Sequence, residues 1–215
     1  MDAIVPAFNE EQTVADVVRT LGAAGVFRRV LVVDDGSSDG TAAAATAAGA
    51  EVLTMPQNGG KGAAMLAGVE ACPGDVAFFD ADLVGFGPEH AHLLVYGYEQ
   101  GYDMVCGLRE YDAVGNVLQA AVGPIITGER IVRRWVLDRL PPSCWDGYSI
   151  ETAMNFVCDS AGGRIAILPM RGVRIRGKVK KGGLLKGLGG HLSMFSEIAA
   201  TRRLLTETGG LACKL

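Results

Sequence analysis

Residues 76–82 read Val-Ala-Phe-Phe-Asp-Ala-Asp, an apolar run closed by an acidic triplet. Four apolar residues in succession fit a strand buried on both faces. Two carboxylates ending such a strand repel each other and are poorly solvated, so they persist where a divalent cation or sugar hydroxyls take up their charge. The simplest occupant is Mg2+ or Mn2+ holding a diphosphate. Two acids on a loop are ordinarily just solvated, so the reading depends on what else reaches the same edge.

Three segments do. Ile4-Val5-Pro6-Ala7-Phe8-Asn9-Glu10 is an apolar strand broken by Pro6 and followed by residues suited to start a helix at Glu10. Val30-Leu31-Val32-Val33 runs into Asp34-Asp35-Gly36-Ser37-Ser38-Asp39-Gly40-Thr41, a second strand ending in acids, glycines and hydroxyls. Asn58-Gly59-Gly60-Lys61-Gly62 is a flexible turn with one cation, opening a helix to about Glu70. In open α/β sheets, ligands bind where loops converge outside the carboxyl ends of the strands, and these motifs fall on that edge.

The wider pattern agrees. Strands at about 3–7, 30–34, 51–55, 76–80 and 103–107 alternate with helical patterns at 10–23, 40–49, 61–71 and 88–100, which predicts an α/β fold with a mostly parallel sheet flanked by helices. After Gly107 the pattern changes. Residues 108–122 read as a loop, Glu129 to Leu140 as a helix stopped by Pro141-Pro142, Ser149 to Cys158 as a further helix, and 164–169 and 172–176 as strands. At 215 residues the chain is one domain, 1–215, in which 1–107, 108–183 and a helical tail at 184–215 differ in pattern.

The series Pro-Ala-x-Asn-Glu, Asp-Asp-Gly-Ser-x-Asp-Gly-Thr, Asn-x-Gly-Lys-Gly and D-x-D, in this order, resembles the nucleotide-binding half of the family 2 glycosyltransferases, densely over residues 3–85. Beyond that, Gly128-Glu129-Arg130 and Gly147-Tyr148-Ser149-Ile150-Glu151 look like the acceptor-side loop and helix start of members that use polyprenyl-phosphate or phosphoglycerate acceptors. The resemblance implies a GT-A, Rossmann-like fold, with 1–107 as the nucleotide-sugar half and 108–183 as the acceptor half, and metal-dependent transfer from a UDP- or GDP-sugar to a polyprenyl phosphate or another lipid-linked or phosphorylated acceptor. It implies that Asp82 ligates the metal, that Asp80 reaches the ribose or the metal's water shell, and that Asp35 reads uracil beside Pro6, Ala7 and Glu10. By the same resemblance, Arg130 with Glu129 binds or orients phosphate. One departure stands out: related enzymes often supply a His as a further metal ligand on a late strand, where this chain reads Gly172-Val173-Arg174-Ile175-Arg176-Gly177-Lys178.

Other roles rest on the residues themselves. Asp34 suits a base N–H equally well or a local turn. Lys61 among glycines can approach a phosphate. A neutral hydroxyl acceptor needs a general base, for which Glu151 and Asp146 are candidates beside Trp145 and Tyr148, whose rings suit a sugar; a phosphate acceptor needs none. Two other readings stay open: a nucleotidyltransferase, whose Gly-rich basic loop after the first strand is replaced here by Pro-Ala-Phe-Asn-Glu, and a non-catalytic sugar-nucleotide binding protein.

Five widely spaced cysteines without a C-x-x-C pair suggest neither a zinc knuckle nor a disulfide framework and fit a reducing cytoplasm. No signal peptide or spanning apolar run is expected. Residues 160–196 carry eight of the 20 basic residues and none of the 24 acidic ones, which suggests that this segment faces something anionic; no nucleic-acid partner is expected. Leu184, Leu188, Leu192, Phe195 and Ala199 stand at helical spacing beside Lys178, Lys180, Lys181 and Lys186. That pattern suits peripheral contact of 178–205 with an inner membrane face, or packing on the domain or on a second copy in a homodimer.

Overall fold

In the computed structural model, residues 1–109, 127–145 and 149–176 are described. A seven-stranded sheet is built from β1 (Asp2–Ala7), β2 (Val30–Asp34), β3 (Glu51–Thr54), β4 (Val76–Phe78), β6 (Met104–Arg109), β7 (Arg130–Val132) and β8 (Ile165–Met170). Its order is β3-β2-β1-β4-β7-β6-β8. A two-stranded sheet pairs β5 (Leu83–Val84) with β9 (Arg174–Ile175). The helices are α1 (Val14–Ala24), α2 (Thr41–Ala47), α3 (Lys61–Glu70), α4 (Pro88–Glu99), α5 (Arg134–Leu137) and α6 (Ser149–Ser160), with a 3-10 turn at Pro142–Trp145.

The strands read as apolar runs because both faces are covered. Side chains alternate along a strand. Ile4, Leu31, Val33 and Phe78 therefore enter one core with Met65, Met104 and Met154, while Ala3, Val5, Val32 and Phe79 enter the opposite core with Val17, Leu21 and Leu94. The first four strands are parallel, as alternation with helices requires.

The segment 129–140 departs from its expected helix. Residues 130–132 form β7, antiparallel to both β4 and β6, and only 134–137 are helical. Arg130, Ile131 and Val132 are all 0% exposed. An apolar segment buried on both faces has no periodicity to separate strand from helix, and the β-branched pair Ile131-Val132 favours the strand. This reversal positions the site. Phe78 and Cys106 both lie opposite Arg130, so the start of β7 shares an edge with the ends of β4 and β6.

Helix α3 lies tightly on β1, since a Cβ on Gly68 would come within 2.6 Å of Ile4 Cγ2 and 3.2 Å of Val33 Cγ2. Gly68→Ala is expected to lower unfolding free energy in urea by about 1–3 kcal/mol through overpacking. Gly22→Ala in α1, where a Cβ meets nothing within 4 Å, is expected to be neutral or to stabilise by up to about 1 kcal/mol.

Candidate active site

The loops after β1 and β2 are knitted together. Asn9, the only non-glycine with positive φ (55°) among the described residues, donates its backbone N–H to Ser37 Oγ at 3.0 Å and accepts from the Ser38 N–H at 2.9 Å. The Glu10 N–H donates to Thr41 Oγ1 at 2.8 Å, and the Asp35 N–H to the Ala7 carbonyl at 2.9 Å. Gly36, at φ 69°, could carry no side chain, because a Cβ would stand 2.8 Å from Asn58 N. Asp34 accepts the Ser37 N–H at 3.1 Å, the local turn bond that its sequence allows. Asp35 accepts the N–H groups of Gly59 at 2.7 Å and Gly60 at 2.8 Å, where its charge also suits the start of α3. Pro6, Ala7, Glu10, Asp34 and Asp35 thus gather at one corner of the sheet edge, with Glu10 accepting the Thr13 hydroxyl at 3.0 Å.

Beside that corner lies a cluster of largely buried charges. Lys61, the first residue of α3, places Nζ 2.8 Å from Asp80 Oδ1 and 2.8 Å from Glu151 Oε1. Arg109, ending β6, donates from Nη1 to Asp80 Oδ2 at 2.9 Å and to Glu129 Oε1 at 3.3 Å. Burial would raise the Asp80 carboxyl, but Lys61 and Arg109 outweigh it and hold it far below the usual range. Burial would likewise lower the Lys61 ammonium, and Asp80 with Glu151 holds it above its ordinary value. Gly128 makes room for this arrangement: a Cβ there would come within 2.2 Å of Asp80 Oδ1.

Glu129 is 0% exposed. Burial, reinforced by the neighbouring Asp80 charge, pushes it up to about 7 against the pull of Arg109. The hydrogen bonding argues the same way. Thr127 Oγ1 stands 2.6 Å from the Gly107 carbonyl and 2.7 Å from Glu129 Oε2, yet a hydroxyl has one proton. Because the carbonyl can only accept, both bonds form when Thr127 donates to Gly107 and a protonated Glu129 donates to Thr127.

Glu151, in the first turn of α6 and 3% exposed, keeps Oε2 buried without a hydrogen-bond partner. An acceptor in that state costs about 1–3 kcal/mol unless something supplies a donor. Asp82 precedes β5, and its carbonyl accepts the Arg176 N–H of β9's end at 2.7 Å. Among the described residues, no three His, Cys, Asp or Glu side chains converge as a metal cage. Mg2+ and Mn2+ need no such cage when one or two carboxylates act with substrate phosphates. The donor set therefore fits an ion held by Asp82 and a diphosphate, with both oxygens of Asp80 already in ion pairs.

Several expectations from sequence change here. Arg130 does not reach a ligand: it is 0% exposed, and its guanidinium donates to the Thr127 carbonyl at 2.7 and 3.0 Å, the Glu151 carbonyl at 3.2 Å and Asn155 Oδ1 at 3.2 Å. It fastens the β7 loop to α6, because a guanidinium in the core must satisfy its donors locally. Trp145 is 7% exposed within the core and offers no ring face to a sugar. Asp146, Tyr148, most of the 108–122 loop and the tail beyond Arg176 lie outside the described residues. Arg109 was missed, although a cation ending an apolar strand is the mirror image of the acids that end β4.

Comparison with known proteins was made on this geometry. Residues 2–141 match the model of glycosyl transferase family 2. The chain belongs to this family. A relative, the glucosyl-3-phosphoglycerate synthase of Mycobacterium tuberculosis, is 28% identical over 217 residues, covering 96% of this chain and 55% of the relative. Glycosyltransferase AglJ of Haloferax volcanii is 32% identical over 189 residues, covering 77% and 60%. The chain thus spans little more than half the length of these curated relatives. Among solved structures, the Mycobacterium tuberculosis synthase in complex with Mn2+, UDP-glucose and phosphoglyceric acid matches with TM-score 0.77 and 27% identity, over 97% of this chain and 79% of that one. The GT-A fold expected from the motifs is therefore the fold observed.

The raised Glu129 makes a signed expectation. Between its ordinary value of 4.5 and about 7, the folded state holds a proton that the unfolded state has lost, so its contribution to stability falls as pH rises through that window. Denaturation from pH 5 to pH 8 is expected to show wild type losing stability relative to Glu129→Gln, by at most about 1.4 kcal/mol per pH unit. Parallel pH profiles for the two proteins would show that Glu129 is ionised throughout.

Proposed function

We propose that this chain transfers a hexosyl group from a nucleoside diphosphate sugar, UDP-glucose in the first instance, to a phosphorylated acceptor of the phosphoglycerate kind. The observation that carries the reading is the buried, unpartnered Glu151 Oε2 beside Lys61, at the sheet edge where Asp35 and Asp82 also lie. The likeness to a synthase solved with Mn2+, UDP-glucose and phosphoglyceric acid supports the choice of donor and acceptor.

In the reaction, the bond from the anomeric carbon to the diphosphate breaks and a bond to the acceptor oxygen forms. Asp35 spends one lone pair of each oxygen on Gly59 and Gly60, which leaves further lone pairs for a base N–H. Asp82, with the phosphates, would hold Mg2+ or Mn2+, which would supply charge neutralisation at the leaving group without proton transfer. Lys61 is placed to exchange an ion pair for a phosphate oxygen. Glu151 Oε2 is placed to accept a hydroxyl hydrogen bond, orienting the sugar or taking the acceptor proton, while Asp146 is the alternative base.

The test is UDP release from UDP-glucose with 3-phosphoglycerate, and with undecaprenyl phosphate as the competing acceptor. Transfer to 3-phosphoglycerate alone supports the reading; transfer only to the polyprenyl phosphate replaces the acceptor, and turnover with neither contradicts it. Asp82→Ala is expected to lower kcat/KM by about 10^3-fold with an unchanged melting temperature, as the loss of several kcal/mol of charge stabilisation requires. Glu151→Gln, which keeps the volume but not the base, is expected to lower kcat by roughly 10^2-fold or more.

A further inference from the structure

Asp82 immediately precedes β5, so whatever holds β5 also holds the Asp82 carboxylate. A ribbon of two strands with two residues each has little stability of its own, and its place must come from contacts with the rest of the fold. The pairing sets Leu83 opposite Ile175 and Val84 opposite Arg174. Continued by one residue, it sets Asp82 opposite Arg176, whose N–H donates to the Asp82 carbonyl at 2.7 Å. The far end of the ribbon is equally close. A Cβ on Gly85, at φ 74°, would collide with the Gly172 carbonyl oxygen, so β5 ends directly against the turn that leads from β8 into β9.

That turn is fixed by one side chain from outside it. The Val173 N–H closes it on the Met170 carbonyl at 3.3 Å, with Gly172 at φ 79°. The Arg171 carbonyl takes no part in such a bond. His90 Nε2 stands 3.0 Å from it. On the other side of the ring, Nδ1 accepts the Gly87 N–H at 2.9 Å, while the His90 N–H returns to the Gly87 carbonyl at 3.0 Å. The result is a reciprocal cap at the start of α4, with an imidazole where Glu or Gln is usual. A ring nitrogen that accepts carries no proton, so the proton of the neutral ring lies on Nε2 and is donated to the Arg171 carbonyl. His90 is buried and stacks on Phe86 with centroids 5.9 Å apart, which sets the plane of the ring.

We propose that His90 is a positioning residue for the Asp82 carboxylate: it ties the β8–β9 turn to the start of α4 and, through the pairing of β9 with β5, fixes Asp82 where a divalent ion needs it. The inference rests on the reading of Asp82 as the metal ligand. With both ring nitrogens engaged by backbone, His90 acts only through the chain that it holds. Mg2+ and Mn2+ sites built on one or two carboxylates depend on where those carboxylates stand, and losing an outer support of this kind weakens metal binding by roughly 10- to 100-fold.

Isothermal titration of UDP into the full chain, in EDTA and over a series of Mn2+ concentrations, tests it with variants that separate the two bonds of the ring. His90→Asn keeps an acceptor at the place of Nδ1 but cannot reach Arg171, whereas His90→Gln keeps a donor at the place of Nε2. His90→Asn is expected to need about tenfold more Mn2+ than wild type for half of the Mn2+-dependent gain in UDP affinity, with UDP affinity in EDTA unchanged. His90→Gln is expected to stay within about twofold of wild type. In the metal-free proteins, amide hydrogen exchange over residues 172–176 is expected to quicken in His90→Asn and not in His90→Gln. A wild-type Mn2+ requirement in His90→Asn, equal losses in both variants, or a loss in EDTA as large as that in Mn2+ overturns the inference and leaves the metal reading standing. A wild type that binds UDP equally in Mn2+ and in EDTA overturns both.

Discussion

The Asp80 carboxylate holds Lys61 through one oxygen and Arg109 through the other, and the edge of the sheet is organised around that double ion pair. Through Lys61 it reaches Glu151 and α6, and through Arg109 it reaches Glu129 and β7. Four elements distant in sequence thus meet on one side chain. Such a cluster is stable only if every charge is answered, since an unpaired buried ion costs several kcal/mol. Gly128 admits the carboxylate, Thr127 answers Glu129, and Arg130 closes the loop against α6. Strand β7 and helix α6 are in this sense joined to the first four strands by electrostatics as much as by packing.

A substrate diphosphate entering this edge competes with carboxylates for cations already engaged. Lys61 spends two of its three protons on Asp80 and Glu151 and keeps one for a phosphate oxygen. Its ion pairs, with that of Arg109, keep Asp80 ionised and in place before substrate arrives. Burial and the neighbouring Asp80 charge favour the neutral form of Glu129, which limits the negative charge that the cluster must hold.

How much of this was legible in the sequence follows from how local each feature is. The motifs after β1, β2 and β4 are contiguous, and each carries its own physical reason: a strand, a turn and polar groups at the carboxyl edge. Their convergence on one edge followed from parallel alternation alone. The reversal of β7 was invisible, because Arg130, Ile131 and Val132 show no period when both faces are buried. The meaning of Arg130 and Glu129 changed with it, from ligand-binding groups on a helix start to buried parts of a strand. The ion pairs of Lys61 were hidden for a related reason: its partners lie 19 and 90 positions away, and no local pattern announces them. Arg176 could be seen as a departure from the family pattern, but its place opposite Asp82 came only with the pairing of two strands of two residues each.

The central claim, that the carboxyl edge between Asp35 and Asp82 is a nucleoside diphosphate site, is tested most directly by a crystal structure grown with UDP and Mn2+. The account predicts density for the base beside Asp35 and for the diphosphate beside Asp82, with the ion touching Asp82. A nucleotide bound away from that edge, or an edge left empty at saturating UDP, would contradict it.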